Sequence, residues 1–430
     1  MFPCLPGGMT DRIGAIVDGY STGRYLAREF RDLGVACVHV QSSAGLPRRL
    51  LHDFDPTEFQ GIRSYHSDAA ATTRWLASRD VRFVVAGAES GVELADALSQ
   101  ELGLPTNGAQ WSSARRNKAA MAAALRRHGM RTAAGCVVTN PADAVAWATD
   151  WGRYPVVVKP VASSGTEDVR FCRAADAVWA AVAAVLGKVN RLGMVNHQAL
   201  VQEYLHGDQY VVNTLTVAGE HYVAEIWADR RRPVPGAANI YDFEELLPRA
   251  GAVQDRLASC AEAVLDSLHV SWGPGHLEII DTASGPVLVE AATRMAGVIL
   301  PDIVAKATGH SHVALTARCY ANPELVAMLP GTPYQKFTEL VTVSLIAHQS
   351  GIVRGMPGLR GIQELRSCSG ILMCLAPGDT VRPTVDLATS PGIVYLTHAD
   401  RDQIFRDYHT IREWEKSGAL YDVDRTEGTS

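Results

Sequence analysis

The chain lacks paired cysteines. Its eight (Cys4, Cys37, Cys136, Cys172, Cys260, Cys319, Cys368, Cys374) are scattered, and none forms a CxxC pair. That spacing argues against a disulfide framework and a thiolate zinc site, and makes a reducing cytoplasmic compartment the expectation. An excess of basic charge is also missing: 40 Lys and Arg stand against 46 Asp and Glu, a formal net charge of -6. There is therefore no general attraction to phosphate backbones or anionic lipid, which excludes nucleic acid and membrane as main partners. No uninterrupted apolar run approaches the roughly 18–20 residues that cross a bilayer. Met1 to Thr10 has neither the basic nor the apolar region of a secretory signal, and Met9 is a candidate natural start. Repeats and low-complexity tracts are absent too. What remains is an ordinary folding composition, 47% hydrophobic and 20% charged, in 430 residues, enough for about three domains at roughly 100–200 residues each.

The first hundred residues read as α/β. Arg12 to Val17 and Val35 to Val40 are strand-like, and Tyr25 to Leu33 between them has helical spacing. Val81 to Ala86 leads through Gly87-Ala-Glu-Ser-Gly91 into another helix, and such strand–turn–helix order predicts a parallel sheet covered by helices. The turn Asp18 to Gly23 lacks GxGxxG, so we read it as loop geometry rather than a dinucleotide site. Turn formers at Leu104 to Gly108 mark a boundary. Beyond it come an alanine-rich helix (Arg115 to His128), a helix from Ala142 to Trp151, strands at Tyr154 to Pro160, Ala199 to Tyr204, Tyr210 to Val217 and His221 to Trp227, and a polar stretch from Ala228 to Asn239 expected as a mobile loop. A helix from Val253 to Leu268 precedes strands at Gly275 to Asp281 and Pro286 to Glu290, and the tail ends in a charged helix, Asp400 to Ser417.

Two lysines stand where phosphate could be held. Lys159 ends a β-branched strand and precedes Ser163-Ser164-Gly165-Thr166, small residues whose backbone N–H groups can approach phosphate oxygens closely. Alone, that is also what a strand end followed by an ordinary turn looks like. Lys118, behind Arg115, Arg116 and Asn117, would alone be a solvated base. Glu278 and Glu290 flank the turn Asp281 to Gly285, so a hairpin brings their carboxylates to facing positions. Such a pair suits Mg²⁺, which takes one or two carboxylates and keeps waters and phosphate oxygens. Arg294, four residues after Glu290, can stabilise a transferring phosphoryl group or a tetrahedral intermediate. The alternative is a surface hairpin with an ion pair, but a carboxylate ending the apolar run Val287-Leu-Val289 needs a partner. Between these elements, the extended approach to Gln202 and Glu203 exposes backbone groups able to pair with an adenine edge.

In this order the pieces resemble the ATP-grasp superfamily of carboxylate–amine ligases, over nearly the whole chain. The resemblance rests on Arg-Arg-Asn-Lys118, Val-Val-Val-Lys159 with its small-residue loop, Val-Gln-Glu-Tyr-Leu205, His-Leu-Glu278 and Leu-Val-Glu290-Ala-Ala-Thr-Arg294. It implies an α/β ATP-grasp fold in three parts: a Rossmann-like domain over 1–108, an ATP-grasp domain over 109–330 with a small lid lobe near 155–206, and a biotin-carboxylase-like extension over 331–430. ATP phosphates would lie on Lys118, Lys159 and the loop Ser163, Ser164, Gly165 and Thr166, and adenine on Gln202, Glu203, Tyr204 and Leu205. Mg²⁺, with Mn²⁺ as its substitute, would sit on Glu278 and Glu290, while Arg294 would serve the acyl phosphate.

Two positions depart from the family pattern. Ala292 stands where Asn is common, and Gln209 where Glu is common, so ribose binding would fall to Asp208 or Gln209. Small residues after Glu290 are similar to the L-amino acid ligase branch, the bacilysin-type dipeptide synthetases. The implied reaction joins an amino acid carboxylate to the amine of a second amino acid, with ADP and phosphate released. Expected substrate-binding residues are Glu89 for an ammonium, Arg230, Arg231 and Arg232 on a closing loop for a carboxylate, and His276 and Arg294. That arginine stretch reads equally as a solvated basic loop. The expected partners are amino acids as small-molecule substrates and a second copy of the chain in a homodimer. The rival readings are a bicarbonate-dependent carboxylase and a nucleotide-binding scaffold without catalysis.

Overall fold

The structure is a computed structural model describing residues 12–46, 54–163, 165–190, 193–233, 239–329 and 331–424; the candidate start at Met9 and the loop residue Ser164 lie outside these. Strands β1 (Ile13–Val17), β2 (Ala36–Gln41), β3 (Ile62–Ser64) and β4 (Val81–Ala86) make a parallel sheet in the order β3-β2-β1-β4. The central strand β1 is apolar throughout because both faces of the sheet are covered. Ile16 packs with Phe30 of the helix Leu26–Asp32, whereas Ala15 and Val17 pack with Leu98 of the helix Val92–Glu101 on the other side. The glycine turns at the strand ends touch each other: a Cβ on Gly23 would lie 2.3 Å from the carbonyl oxygen of Gly87. Close packing of two loops therefore accounts for glycine there.

A second, antiparallel sheet holds β5 (Gly135–Val138), β6 (Val156–Pro160), β7 (Arg170–Cys172) and β8 (Ala199–Glu203) in the order β5-β8-β6-β7. Val156 and Val158 point into its own core beneath the helices Pro141–Trp151 and Ala175–Val185. Alternation then turns Val157 and Lys159 to the opposite face, where both line a cleft.

The cleft's other wall is an eight-stranded sheet. Its members are β9 (Gly207–Val217), β10 (Glu220–Pro233), β11 (Asn239–Leu246), β12 (Trp272–Thr282), β13 (Gly285–Ala292) and β14 (Glu339–Ser344), joined after β15 (Gly351–Gly355) by β16 (Cys368–Met373) and after β17 (Thr380–Val381) by β18 (Gly392–His398). The order is β13-β12-β9-β10-β11-β14-β18-β16, antiparallel throughout. Leu277 and Ile279 join the core with Leu257, Ala261 and Val264 of the helix Ala252–Ser267, which leaves His276, Glu278 and Ile280 on the opposite face. Strands from beyond residue 331 thus extend the same sheet. The helix Arg401–Ser417, capped by the Asp400 side chain on the N–H of Asp402, packs Ile404, Tyr408 and Ile411 against it.

One expectation is overturned here. The stretch is strand, not loop, from Ala228 to Pro233 and at Asn239, while residues 234–238 lie outside the described residues: β10 runs to Pro233 and pairs with β11 from Trp227–Leu246 to Pro233–Asn239. Its polar residues can sit in a sheet because each charge has a partner. Arg230 donates to Asp208 at 2.9 Å, Arg231 to Asp229 at 2.7 Å and Arg232 to Asp242 at 3.1 Å.

Candidate active site

The cleft between the two antiparallel sheets has a volume of about 300 Å³. Lys159 enters it from the end of β6 and Lys118 from the first turn of the helix Lys118–Arg127, whose start is fixed by Asn117 accepting from the N–H groups of Ala119 and Ala120. Lys118 Nζ lies 3.0 Å from Glu290 Oε1 and donates to the Ser163 carbonyl at 3.2 Å. Lys159 is 4% exposed. Burial, with Lys118 nearby, lowers its pKa to about 8, although Glu290 and Glu278 pull the other way.

The hairpin places Glu278 directly opposite Glu290. Glu278 Oε2 accepts from Gln209 Nε2 at 2.9 Å and lies 3.6 Å from the Arg231 guanidinium. Gln209, expected at the ribose, thus orients an acidic side chain in this structure. The two carboxylates fit a hard divalent cation. Among the described residues no three His, Cys, Asp or Glu side chains group as a ligand set, so phosphate oxygens and water would complete the shell, as Mg²⁺ prefers.

Gly165, Thr166, Gln202, Glu203, Tyr204, Leu205 and Asp208 all line the cleft. The Glu203 carboxylate is already engaged, accepting the Ala134 N–H at 2.8 Å. Tyr204 meets Phe171 edge-on at 5.1 Å, giving the cleft an aromatic end. The three arginines divide. Arg230 and Arg231 line the cleft, whereas Arg232 turns to Asp242 and to the Tyr408 hydroxyl of the C-terminal helix. The structure therefore does not assemble the three as one substrate-binding cluster.

Sequence reasoning missed the ground beneath Arg231. Asp229, 2% exposed, accepts both Nε (2.9 Å) and an NH₂ group (2.7 Å) of Arg231, which also stacks 3.7 Å above the Tyr241 ring. Glu244 stands opposite Asp229 on β11, and burial together with Asp229 raises its pKa to about 8. A buried run of Asp, Arg and Glu alternating along paired strands would have been the available signal.

Glu89 and Arg294 are 205 residues apart in the chain, yet Arg294 Nε donates to Glu89 Oε2 at 2.9 Å, with Arg116 3.4 Å from the other oxygen. Burial works against the charge on Glu89, but Arg294 and Arg116 outweigh it and hold the carboxyl below its ordinary value. The carboxylate expected to take a substrate ammonium is thus compensated by arginines of the chain itself. His276 lies on the Glu278 face, where burial, Arg294 and His312 keep its pKa well below the usual range, and its Nδ1 is 2.9 Å from Asn213 Oδ1.

The ATP-grasp domain family matches residues 152–302. Dapdiamide A synthase of Enterobacter agglomerans is 30% identical over 384 residues, covering 88% of this chain and 90% of that one. The L-arginine-specific L-amino acid ligase of Bacillus subtilis is 24% identical over 245 residues, 56% of this chain and 59% of the other. In structure, an L-amino acid ligase from Bacillus licheniformis superposes with a TM-score of 0.75 at 16% identity, covering 97% and 99% of the two chains. The ADP complex of an N5-carboxyaminoimidazole ribonucleotide synthetase reaches 0.68, also at 16% identity, over 95% and 98%, which speaks to the fold alone. With lysines and facing carboxylates converging in a cleft between two antiparallel sheets, and a relative matched along nearly its whole length, the chain belongs to the ATP-grasp superfamily of carboxylate–amine ligases.

Proposed function

We propose that the protein joins the carboxylate of one amino acid to the amine of another through an acyl phosphate, releasing ADP and phosphate. The observation that carries this reading is the convergence of Lys118, Lys159, Glu278 and Glu290 at one cleft. A donor carboxylate oxygen would attack the γ-phosphorus of ATP as ADP departs. The amine nitrogen would then bond the acyl carbon while the carbon–oxygen bond to phosphate breaks.

Lys159 and Lys118 would neutralise phosphate oxygens, and Gln202 to Leu205 would flank the adenine. Glu278 and Glu290 would hold Mg²⁺, whose contribution when bound is charge neutralisation on the transferring phosphoryl group. Arg231, held by Asp229 and Tyr241, offers a preset guanidinium near Glu278. Arg294, fixed by Glu89, offers another beyond Glu290. Burial of these groups lets fixed charges replace water around a hydrolysable intermediate. The names of the two curated relatives, a dapdiamide synthase and an arginine-specific amino acid ligase, support substrates of the amino acid class.

The test is a screen of amino acid pairs with ATP and Mg²⁺. The expected result is ADP and orthophosphate, together with a product lighter than the pair by one water. AMP and pyrophosphate would overturn the acyl-phosphate route. Turnover that needs bicarbonate and one amine, with none from any amino acid pair, would transfer the assignment to a carboxylase.

A further inference from the structure

Asp208 and Gln209, at the start of β9, are the two side chains expected at a ribose, and both are engaged elsewhere. Asp208 Oδ1 accepts from Arg230 at 2.9 Å, and Gln209 Nε2 lies 2.9 Å from Glu278 Oε2. Register explains the second contact. Gln209 is opposite Ile280 and Glu278 is opposite Val211, so Gln209 and Glu278 are diagonal neighbours on paired antiparallel strands, within reach of two long side chains. Gln209, Glu278 and Ile280 all line the cleft.

The contact has a direction. A carboxylate can only accept, so the group that Gln209 turns to Glu278 is its amide N–H. Arg231 approaches the same oxygen at 3.6 Å, and is itself held by Asp229, to which it gives two bonds. Both neighbours of Glu278 therefore fall on Oε2, and among the described residues no donor reaches Oε1. A carboxylate pinned by one oxygen presents the other in a fixed direction, which suits an octahedral cation that takes few protein ligands. Charge accounts for an amide at 209. Asp229, in register with Gln209, and Glu278 already share the one guanidinium of Arg231. An ionised glutamate at 209 would bring a third carboxylate to that guanidinium and would have no N–H to give Glu278.

We infer that Gln209 is a positioning residue for the metal: it holds Glu278 by Oε2 so that Oε1 ligates Mg²⁺, and it does not bind the ribose. This rests on the reading of Glu278 and Glu290 as the Mg²⁺ carboxylates and deepens it. Gln209 acts through Glu278 and touches neither metal nor nucleotide, so its removal should separate metal affinity from nucleotide affinity.

Binding to the full chain tests this without any amino acid, so the outcome stands apart from whether a pair is ligated. Calorimetry gives Kd for ADP in EDTA. Titration of the ADP complex with Mn²⁺, read by electron paramagnetic resonance, gives the metal's affinity and the line shape of the bound ion. Gln209→Met, close in size but without a donor, should weaken Mn²⁺ about tenfold or more and alter that line shape, with Kd for ADP in EDTA within about twofold of wild type. Gln209→Asn, whose amide falls one methylene short of Glu278, should weaken Mn²⁺ in the same way. In a Glu278→Gln background, Gln209→Met should weaken Mn²⁺ little further, because the two side chains act as one unit. The ratio of Kd for 2′,3′-dideoxy-ADP to that for ADP should be the same in wild type and Gln209→Met. Unchanged Mn²⁺ affinity in either variant, an equal loss in the Glu278→Gln background, or a lost preference for ADP over its dideoxy analogue in Gln209→Met would each overturn the inference. So would wild-type protein that binds ADP and takes no Mn²⁺ with it, which would remove the metal from Glu278 and leave the ligase reading to be judged on its products.

Discussion

Lys159 should take up a proton when nucleotide binds. It sits 4% exposed beside Lys118, and its pKa is brought down to about 8. At pH 8 about half of the free protein therefore lacks this proton. Phosphate oxygens entering the cleft favour the ammonium form, so binding should take up about half a proton at pH 8, about 0.9 at pH 9 and about 0.1 at pH 7. If only the ammonium form binds, Kd should be about tenfold weaker at pH 9 than at pH 7, about 1.4 kcal/mol. Calorimetric titration with ADP and Mg²⁺ in buffers of different ionisation enthalpy counts the protons directly. Lys159→Arg should bind without uptake, because a guanidinium stays charged throughout this range. Binding at pH 8 to 9 without proton uptake, or equal uptake in Lys159→Arg, would refute the reasoning. The same shift affects the free fold. The folded-state pKa is lowered from 10.5 to about 8, so this lysine's cost is fully present below pH 8. It is relieved as pH rises from about 8 to 10.5, where the unfolded chain binds more protons.

Glu290→Gln should cut kcat by about 10²-fold or more and increase the Mg²⁺ needed for half-maximal rate, because it weakens the cation that supplies several kcal/mol of charge stabilisation; wild-type turnover at limiting Mg²⁺ would reject the hairpin as the metal site. Asp96→Ala should cost about 3–5 kcal/mol in chemical denaturation, since it strands the guanidinium of Arg115, which is 1% exposed and 2.7 Å from Asp96. A loss under about 1 kcal/mol would show that the carbonyls of Asn107, Gly108 and Leu268, which Arg115 also reaches, suffice alone.

What the sequence makes legible is what local rules control. Ile13 to Val17 and Val81 to Ala86 are buried on both faces of a parallel sheet, so their apolar runs announce them. The Glu278–Glu290 hairpin is legible from its short turn, but its register is not: continued from Ile279–Leu288 it would set Val289 opposite Glu278, and a bulge there puts Glu290 in that place instead. Nor is the end of β10 legible, since its charges are satisfied by Asp208, Asp242 and Tyr408, far away in sequence. The helix His312–Ala321 is equally hard to see: Val313, Leu315, Thr316, Ala317 and Cys319 are all buried, and a helix covered on nearly every side has no two-faced periodicity. Glu89 and Arg294 can each be picked out as chemically interesting. Their contact, across two sheets, can be known only from the fold.

Asp242 receives Arg232 from β10 on one side and Tyr408 and Arg412 from the C-terminal helix on the other, and Arg412 goes on to Glu415 and the Ser344 carbonyl. The residue next to Arg232 is Arg231, on the cleft floor. The last helix is thus not a detachable module. A chimera that exchanged it for that of another ligase, without carrying Asp242 and Arg232 along, would transplant the helix and disturb the cleft at Arg231 in the same cut.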